Sequence, residues 1–271
     1  MKLFLLFCLG ILIGYLIGRR VLRRKRRRNQ TVSKDYFIGL NYLLSEQPDK
    51  AVDVFIRMLE VDSDTIEMHF ALGSLFRRRG ETDRAIRIHQ NLLTRANLDK
   101  ILRLEVLMEL GRDYMAAGVY DRAERLFQEV VEAGKPHRVA ALYYLLDIYE
   151  REKDWQTALT VAQQLQEQGE NVSHRIAQYY CELVEESSHR LSLSEIKNYL
   201  DLAVKVAPNS VRAKSLITKY LDPTDNSEIL TAPEGVYQCE HCGYSGKKLT
   251  WQCPSCRRWE TIKPVMNKYT P

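Results

Sequence analysis

The chain has 271 residues, 45% hydrophobic and 28% charged, which is enough apolar and mixed-sign material for one or two folded domains and excludes a chain disordered throughout. Its 13 glycines and 8 prolines exclude a collagenous or linker-dominated chain and argue against an all-β protein rich in tight turns. The net charge of +5 is segregated, with +9 on residues 1–30, −8 on 31–234 and +4 on 235–271, so no nucleic-acid partner is expected from the basic balance.

Leu3 to Gly18 is a run of 16 uncharged residues, followed at once by eight arginines and lysines between Arg19 and Arg28. The run is at the short limit for a spanning helix, and Lys2 and Arg19 can extend its reach to the interfaces. A cleaved signal peptide fits poorly, because the strong charge follows the apolar stretch and no small-x-small site comes after it. Residues 1–18 are therefore expected to be a transmembrane anchor and 19–30 a basic juxtamembrane segment that touches the lipid bilayer. The positive flank predicts a single-pass topology, N-terminus out, with the bulk of the chain cytoplasmic. Gly10, Gly14 and Gly18 fall on one helical stripe, where two anchors can approach closely; this is the basis for expecting a homodimer.

Beyond the anchor a unit recurs: Leu or Ile, then Gly, an aromatic three residues on, and an Ala nine residues after that. Gly39, Tyr42 and Ala51 make the first instance, Gly73, Phe76 and Ala85 the second, and Gly111, Tyr114 and Ala123 the third. Leu145, Tyr149 and Ala158 continue the series, with Leu146 in place of the glycine. The alanines are 34, 38 and 35 residues apart, the period of tetratricopeptide (TPR) helix pairs. Gly39, Gly73 and Gly111 are expected where the two helices of a pair meet. Asp49, Asp83, Asp121 and Asp154 are expected to cap or complement the second helices. A degenerate fifth unit and a last helix over about 210–221 complete an array over 31–221, roughly five and a half units.

Such an array holds a peptide or helix on its concave face. It carries no nucleophile–base–acid grouping and no Gly-rich phosphate loop, so the chain is not expected to be an enzyme. Arg77 and Arg112 fall where first-helix side chains face the groove, placed to meet acidic partner groups. His89 sits at a packing position, and Cys181 reads as a buried, inert thiol.

Residues 222–234, rich in Pro, Asp, Asn and Ser, read as a linker, 235–264 as a small module and 265–271 as a tail. The module carries Cys239-x-x-Cys242 and, ten residues on, Cys253-x-x-Cys256. About thirty residues cannot bury a self-sufficient core, and in a reducing cytoplasm the staple is one metal ion held by four thiolates. A closed four-cysteine shell is structural. Trp251 and Trp259 are expected either to lid the module or to dock it on the helical array. The run Cys-x-x-Cys-Gly-Tyr with Cys-Pro-x-Cys resembles a trimmed rubredoxin, whose ligands hold iron; tetrahedral sulfur suits zinc equally.

The fold class is thus mostly α: a transmembrane helix, a TPR α-solenoid and a rubredoxin-like four-cysteine metal module. This order, with Gly39-Leu40-Asn41-Tyr42, Gly80-Glu81-Thr82-Asp83-Arg84-Ala85, Leu110-Gly111-Arg112-Asp113-Tyr114 and Trp251-Gln252-Cys253-Pro254-Ser255-Cys256, resembles the lipopolysaccharide assembly protein B (LapB) family. That family has further repeats before the knuckles, whereas this array ends near Leu221, as in a shortened member. The resemblance implies metal ligands at Cys239, Cys242, Cys253 and Cys256. It also implies a cytoplasm-facing inner-membrane adaptor of Gram-negative bacteria that restrains lipopolysaccharide synthesis by presenting the lipid A deacetylase LpxC to the membrane protease FtsH. Other readings are a general scaffold for envelope enzymes and, further off, a redox or zinc-ribbon nucleic-acid-binding protein.

Overall fold

Apolar positions spaced three and four apart, punctuated by glycine turns, give a succession of short helices. The computed structural model describes residues 19, 34, 36–61, 66–94, 98–222 and 236–265, in two compact units that divide after Arg138. The expected anchor, its Gly10–Gly14–Gly18 stripe and nearly all of the basic segment and of the linker lie outside the described residues. Among the described residues no helix is long and apolar enough to cross a membrane.

The first unit is helical over 36–44 and continues with α1 (Pro48–Val61), α2 (Ile66–Arg78), α3 (Thr82–Leu93), α4 (Lys100–Ala116) and α5 (Tyr120–Ala133). From α2 onward consecutive helices pack on one another, and α1 also meets α3 and α2 meets α4, the nearest-neighbour pattern of a solenoid. Val52, Phe76, Ala85 and Ile88 form one buried cluster that joins consecutive pairs. The pair glycines sit against rings. A Cβ on Gly39 would lie 2.6 Å from Phe55, one on Gly111 2.6 Å from Phe127, and one on Gly73 would run into His89. His89 thus takes the place that phenylalanine fills in the pairs on either side. Left-handed Gly80 (φ 79°) and Gly118 (φ 74°) end α2 and α4 and turn the chain into the next helix.

The second unit holds α6 (Arg138–Glu152), α7 (Trp155–Glu167), α8 (Ser173–Ser187), α9 (Leu193–Val206) and α10 (Val211–Leu221), then β1 (Tyr237–Cys239), β2 (Ser245–Gly246) and β3 (Ile262–Pro264). The strands form an antiparallel sheet in the order β2-β1-β3, with Cys239 opposite Ile262. Its core is Tyr237, Cys239, Cys253 and Ile262. Ser192 and Ser210 cap α9 and α10, the former in a reciprocal box with Glu195.

The four aspartates ahead of the second helices take both of the roles expected for them. Of the four aspartates, Asp154 alone caps its helix, accepting the Thr157 N–H at 3.1 Å. Asp83 and Asp121 lie inside the first turn, where they complement the helix dipole, and no side chain caps the N-terminus of α3 or α5. Asp49, also in a first turn, reaches Arg84 of the next pair at 2.7 Å.

Candidate metal centre and its seat on the helices

The two knuckles share one backbone design. In the first, the Gly243 N–H donates to the Cys239 carbonyl at 3.0 Å and the Cys239 N–H to the Tyr244 carbonyl at 2.8 Å. In the second, Arg257 donates to Cys253 at 2.8 Å and Cys253 to Arg258 at 2.9 Å. Gly243 (φ 75°) and Arg257 (φ 59°) are both left-handed, so an arginine stands where the first knuckle uses glycine.

These turns bring four sulfurs together. Cys239 and Cys256 Sγ are 3.7 Å apart, Cys242 and Cys253 Sγ 3.6 Å, and all four lie within 4.8 Å of one another. An ion bonded to four sulfurs at about 2.3 Å needs tetrahedral edges of about 3.8 Å. The donor set therefore fits a single tetrahedral ion, zinc or iron alike. The Thr261 hydroxyl, 3.2 Å from Cys239 Sγ, together with the Cys242 and His241 N–H groups, favours the Cys239 thiolate and brings its pKa to about 6. The Tyr244 N–H holds Cys242 low in the same way. Cys256 has the Arg258 N–H, but burial and the crowded sulfurs outweigh it and push that thiol up to about 11.

The module sits on the helices of its own unit. Trp259 is 9% exposed and meets Trp155 and Tyr179 edge-on, at centroid distances of 5.9 and 6.1 Å. Its indole N–H donates to Glu150 at 3.3 Å, and Gln252 Nε2 donates to the other oxygen of the same carboxylate at 3.0 Å. The Tyr179 hydroxyl also donates to Glu150, whose side chain is only 4% exposed. Beside this centre Glu260 accepts from Gln178 at 2.7 Å and pairs with His174 at 2.8 Å. Arg212 on α10 is 2% exposed, donates to Gln178 at 3.0 Å and Glu182 at 2.8 Å, and lies 5.6 and 6.0 Å from the rings of Trp251 and Trp259. Glu150, Gln178, Arg212 and Glu260 were not singled out from sequence. The available signal was a charged or amide residue on an otherwise apolar helix face.

The other singled-out residues lie elsewhere. Arg77 donates to Glu109 at 2.7 Å and Asp113 at 2.6 Å, and Arg112 pairs with the same Glu109, so both guanidiniums are engaged within the array. Asp113, fully buried, also holds His89 Nδ1. Cys181 is buried, which pushes its thiol up to about 12 and leaves it poorly reactive.

Residues 237–264 match the family described as Rubredoxin metal binding domain, and residues 69–101 and 108–172 match Tetratricopeptide repeat families. Lipopolysaccharide assembly protein B of Escherichia coli K12 is 42% identical over an alignment that covers 97% of each chain. The chain belongs to the LapB family. The namesake protein of Haemophilus influenzae is 28% identical, with 98% of each chain covered. The alignment with the Escherichia coli member runs over 380 positions, against 271 residues here, so that member carries a long stretch with no counterpart in this chain. The expectation of a shortened family member holds. Among solved structures, the C-terminal part of a TPR repeat-containing protein from Cytophaga hutchinsonii is similar at a TM-score of 0.44 and 16% identity, covering 69% of this chain and 73% of that one.

Proposed function

We propose that this protein is an inner-membrane adaptor that restrains lipopolysaccharide synthesis by presenting the deacetylase LpxC to the protease FtsH. Membership in the LapB family carries the reading, and a TPR fold supports binding in preference to catalysis. In this reading residues 1–18 tether the chain, with its N-terminus out, to the membrane in which the protease resides. Residues 31–221 offer the groove, and 235–264 close the array. An acidic group of a partner entering near Arg77 and Arg112 has to compete with Glu109 for them.

Cys239, Cys242, Cys253 and Cys256 would hold one iron or zinc ion. Four thiolates leave no open coordination position, so the ion's contribution is to staple a fold too small to hold itself. Trp259, Gln252 and Glu260 then transmit that order to α6, α7 and α8.

Depleting the protein and following the half-life of LpxC tests the reading. A longer half-life is expected, with no further lengthening when FtsH is inactive. An unchanged half-life, with envelope enzymes found in stable complexes with the chain, overturns it in favour of a general scaffold.

A further inference from the structure

The outer face of the 36–44 helix is apolar, and no other described residue covers it. Phe37 is 64% exposed, Leu40 36% and Leu44 76%, whereas Gly39 on the opposite face is buried against Phe55. At about 100° per residue, positions 37, 40 and 44 fall within an arc of about 60°, a single stripe. End helices of a solenoid ordinarily turn a polar face outward, because no further repeat covers them. This one does not.

Two observations identify what covers it. Nine residues before Phe37 ends a run of eight arginines and lysines, Arg19 to Arg28, without an acid among them. Nine extended residues span at most about 30 Å, so whatever the run binds is within reach of the stripe. Uninterrupted positive charge beside an apolar stretch matches the headgroups of anionic lipid. A second copy of the chain is the poorer occupant. Three side chains on so short a helix bring a few hundred Å² at most, against the roughly 800 Å² per partner of a stable interface.

We propose that Phe37, Leu40 and Leu44 lie in the headgroup layer of an anionic bilayer, held there by the Arg19–Arg28 run, so that the first helix pair rests on the membrane and the array is not free on its tether. The inference builds on the anchor assigned above to residues 1–18. An amphipathic helix lying in the interface with cations close by is a stable arrangement, its apolar face buried about 5–10 Å deep. Asn41 and Lys34, both exposed, keep polar groups at the margin of the stripe.

Hydrogen exchange on the full chain in lipid nanodiscs tests this. Exchange of amides 36–44 is expected to slow several-fold in discs of phosphatidylcholine with phosphatidylglycerol, relative to the chain in neutral detergent, because contact suppresses local opening. Phe37→Asp with Leu44→Asp, or the milder Leu44→Gln, should restore the detergent rate while α2 to α5 exchange as before. Equal rates in discs and detergent, with the chain resisting carbonate extraction, overturn the proposal and leave the anchor standing. Protection that persists in pure phosphatidylcholine overturns the part assigned to the cations. Protection that follows the number of chains per disc overturns it in favour of a second copy. Release of the chain by carbonate shows instead that the anchor reading has failed, and the proposal falls with it.

Discussion

Glu150 and Trp259, 109 residues apart in the chain, meet at 3.3 Å with the indole N–H directed at the carboxylate. The same carboxylate accepts from Gln252 and Tyr179, so three donors, two from the module and one from α8, converge on one buried acceptor. Glu150→Ala strands those donors away from water. At about 1–3 kcal/mol for each group left unpaired, a loss of about 3 kcal/mol in the second unit is expected. Glu150→Gln keeps the shape and should lose less. Urea denaturation followed by tryptophan fluorescence reads both, and two neutral variants would show that ring packing alone seats the module.

Arg212 is enclosed by Gln178, Glu182, Glu185 and two indoles. Removing one partner of a buried ionic group costs about 3–5 kcal/mol, since the others keep their desolvation penalty. Arg212→Ala is expected at the low end of that range, because Glu182 and Glu185 retain some water. Combined with Trp251→Ala the losses should be less than additive. Full additivity in the double-mutant cycle would mean that the cation and the ring do not interact.

Gly111→Ala places a methyl 2.6 Å from the Phe127 ring. A loss of about 1–3 kcal/mol in the first unit is expected, and Phe127→Leu in the same background should recover part of it. If the alanine variant alone is as stable as the parent, the helices can separate there at no cost.

His174 and Glu260 give the seat a pH dependence. Their hydrogen bond raises the His174 pKa above 6.5 and lowers that of Glu260 below 4.5. A raised histidine stabilises fully below about 6.5 and ceases to as pH climbs through its folded value; a lowered carboxylate stabilises above about 4.5 and ceases to as pH drops through its own. The pair is therefore strongest between those limits. The effect is modest, because His174 is half-exposed and solvent screens it. Thermal melts at pH 6 and 8.5 should show a lower midpoint at the higher pH, and His174→Gln should shrink that difference. An equal difference in parent and variant assigns it to other groups.

Cys239→Ser with Cys242→Ser should reduce bound metal to near zero while the far-ultraviolet helix signal persists. Repeat arrays hold through neighbouring contacts, so losing the end does not melt the rest. Unchanged metal stoichiometry would place the ligands elsewhere.

Much of this was legible from periodicity. The glycine–alanine repeat located the helix pairs because a missing side chain at a crossing leaves a fixed spacing in sequence. The knuckles were legible because two Cys-x-x-Cys turns have few other uses. The polar seat was not. Glu150 looks like any charged residue near a helix end, and it is buried among Tyr179, Gln252 and Trp259, which only the fold brings to it. The module is net basic, yet the acidic Glu260 makes its close polar contacts to His174 and Gln178, while Arg257 stops 3.9 Å from Asp147. The Asp113 link between Arg77 and His89 was hidden for the same reason: it joins helices that only the folded array brings together.

The order in which these parts leave the ribosome sets a timing problem. Glu150, Tyr179 and Arg212 are all synthesised before Trp259 exists. At roughly 5–20 residues per second, several seconds separate the completion of α10 from the arrival of the indole that covers it. During that interval a carboxylate, a guanidinium and two aromatic faces on the growing chain lack the indole that covers them in the folded protein. Each molecule therefore offers nascent-chain chaperones a brief aromatic surface that the finished protein withdraws.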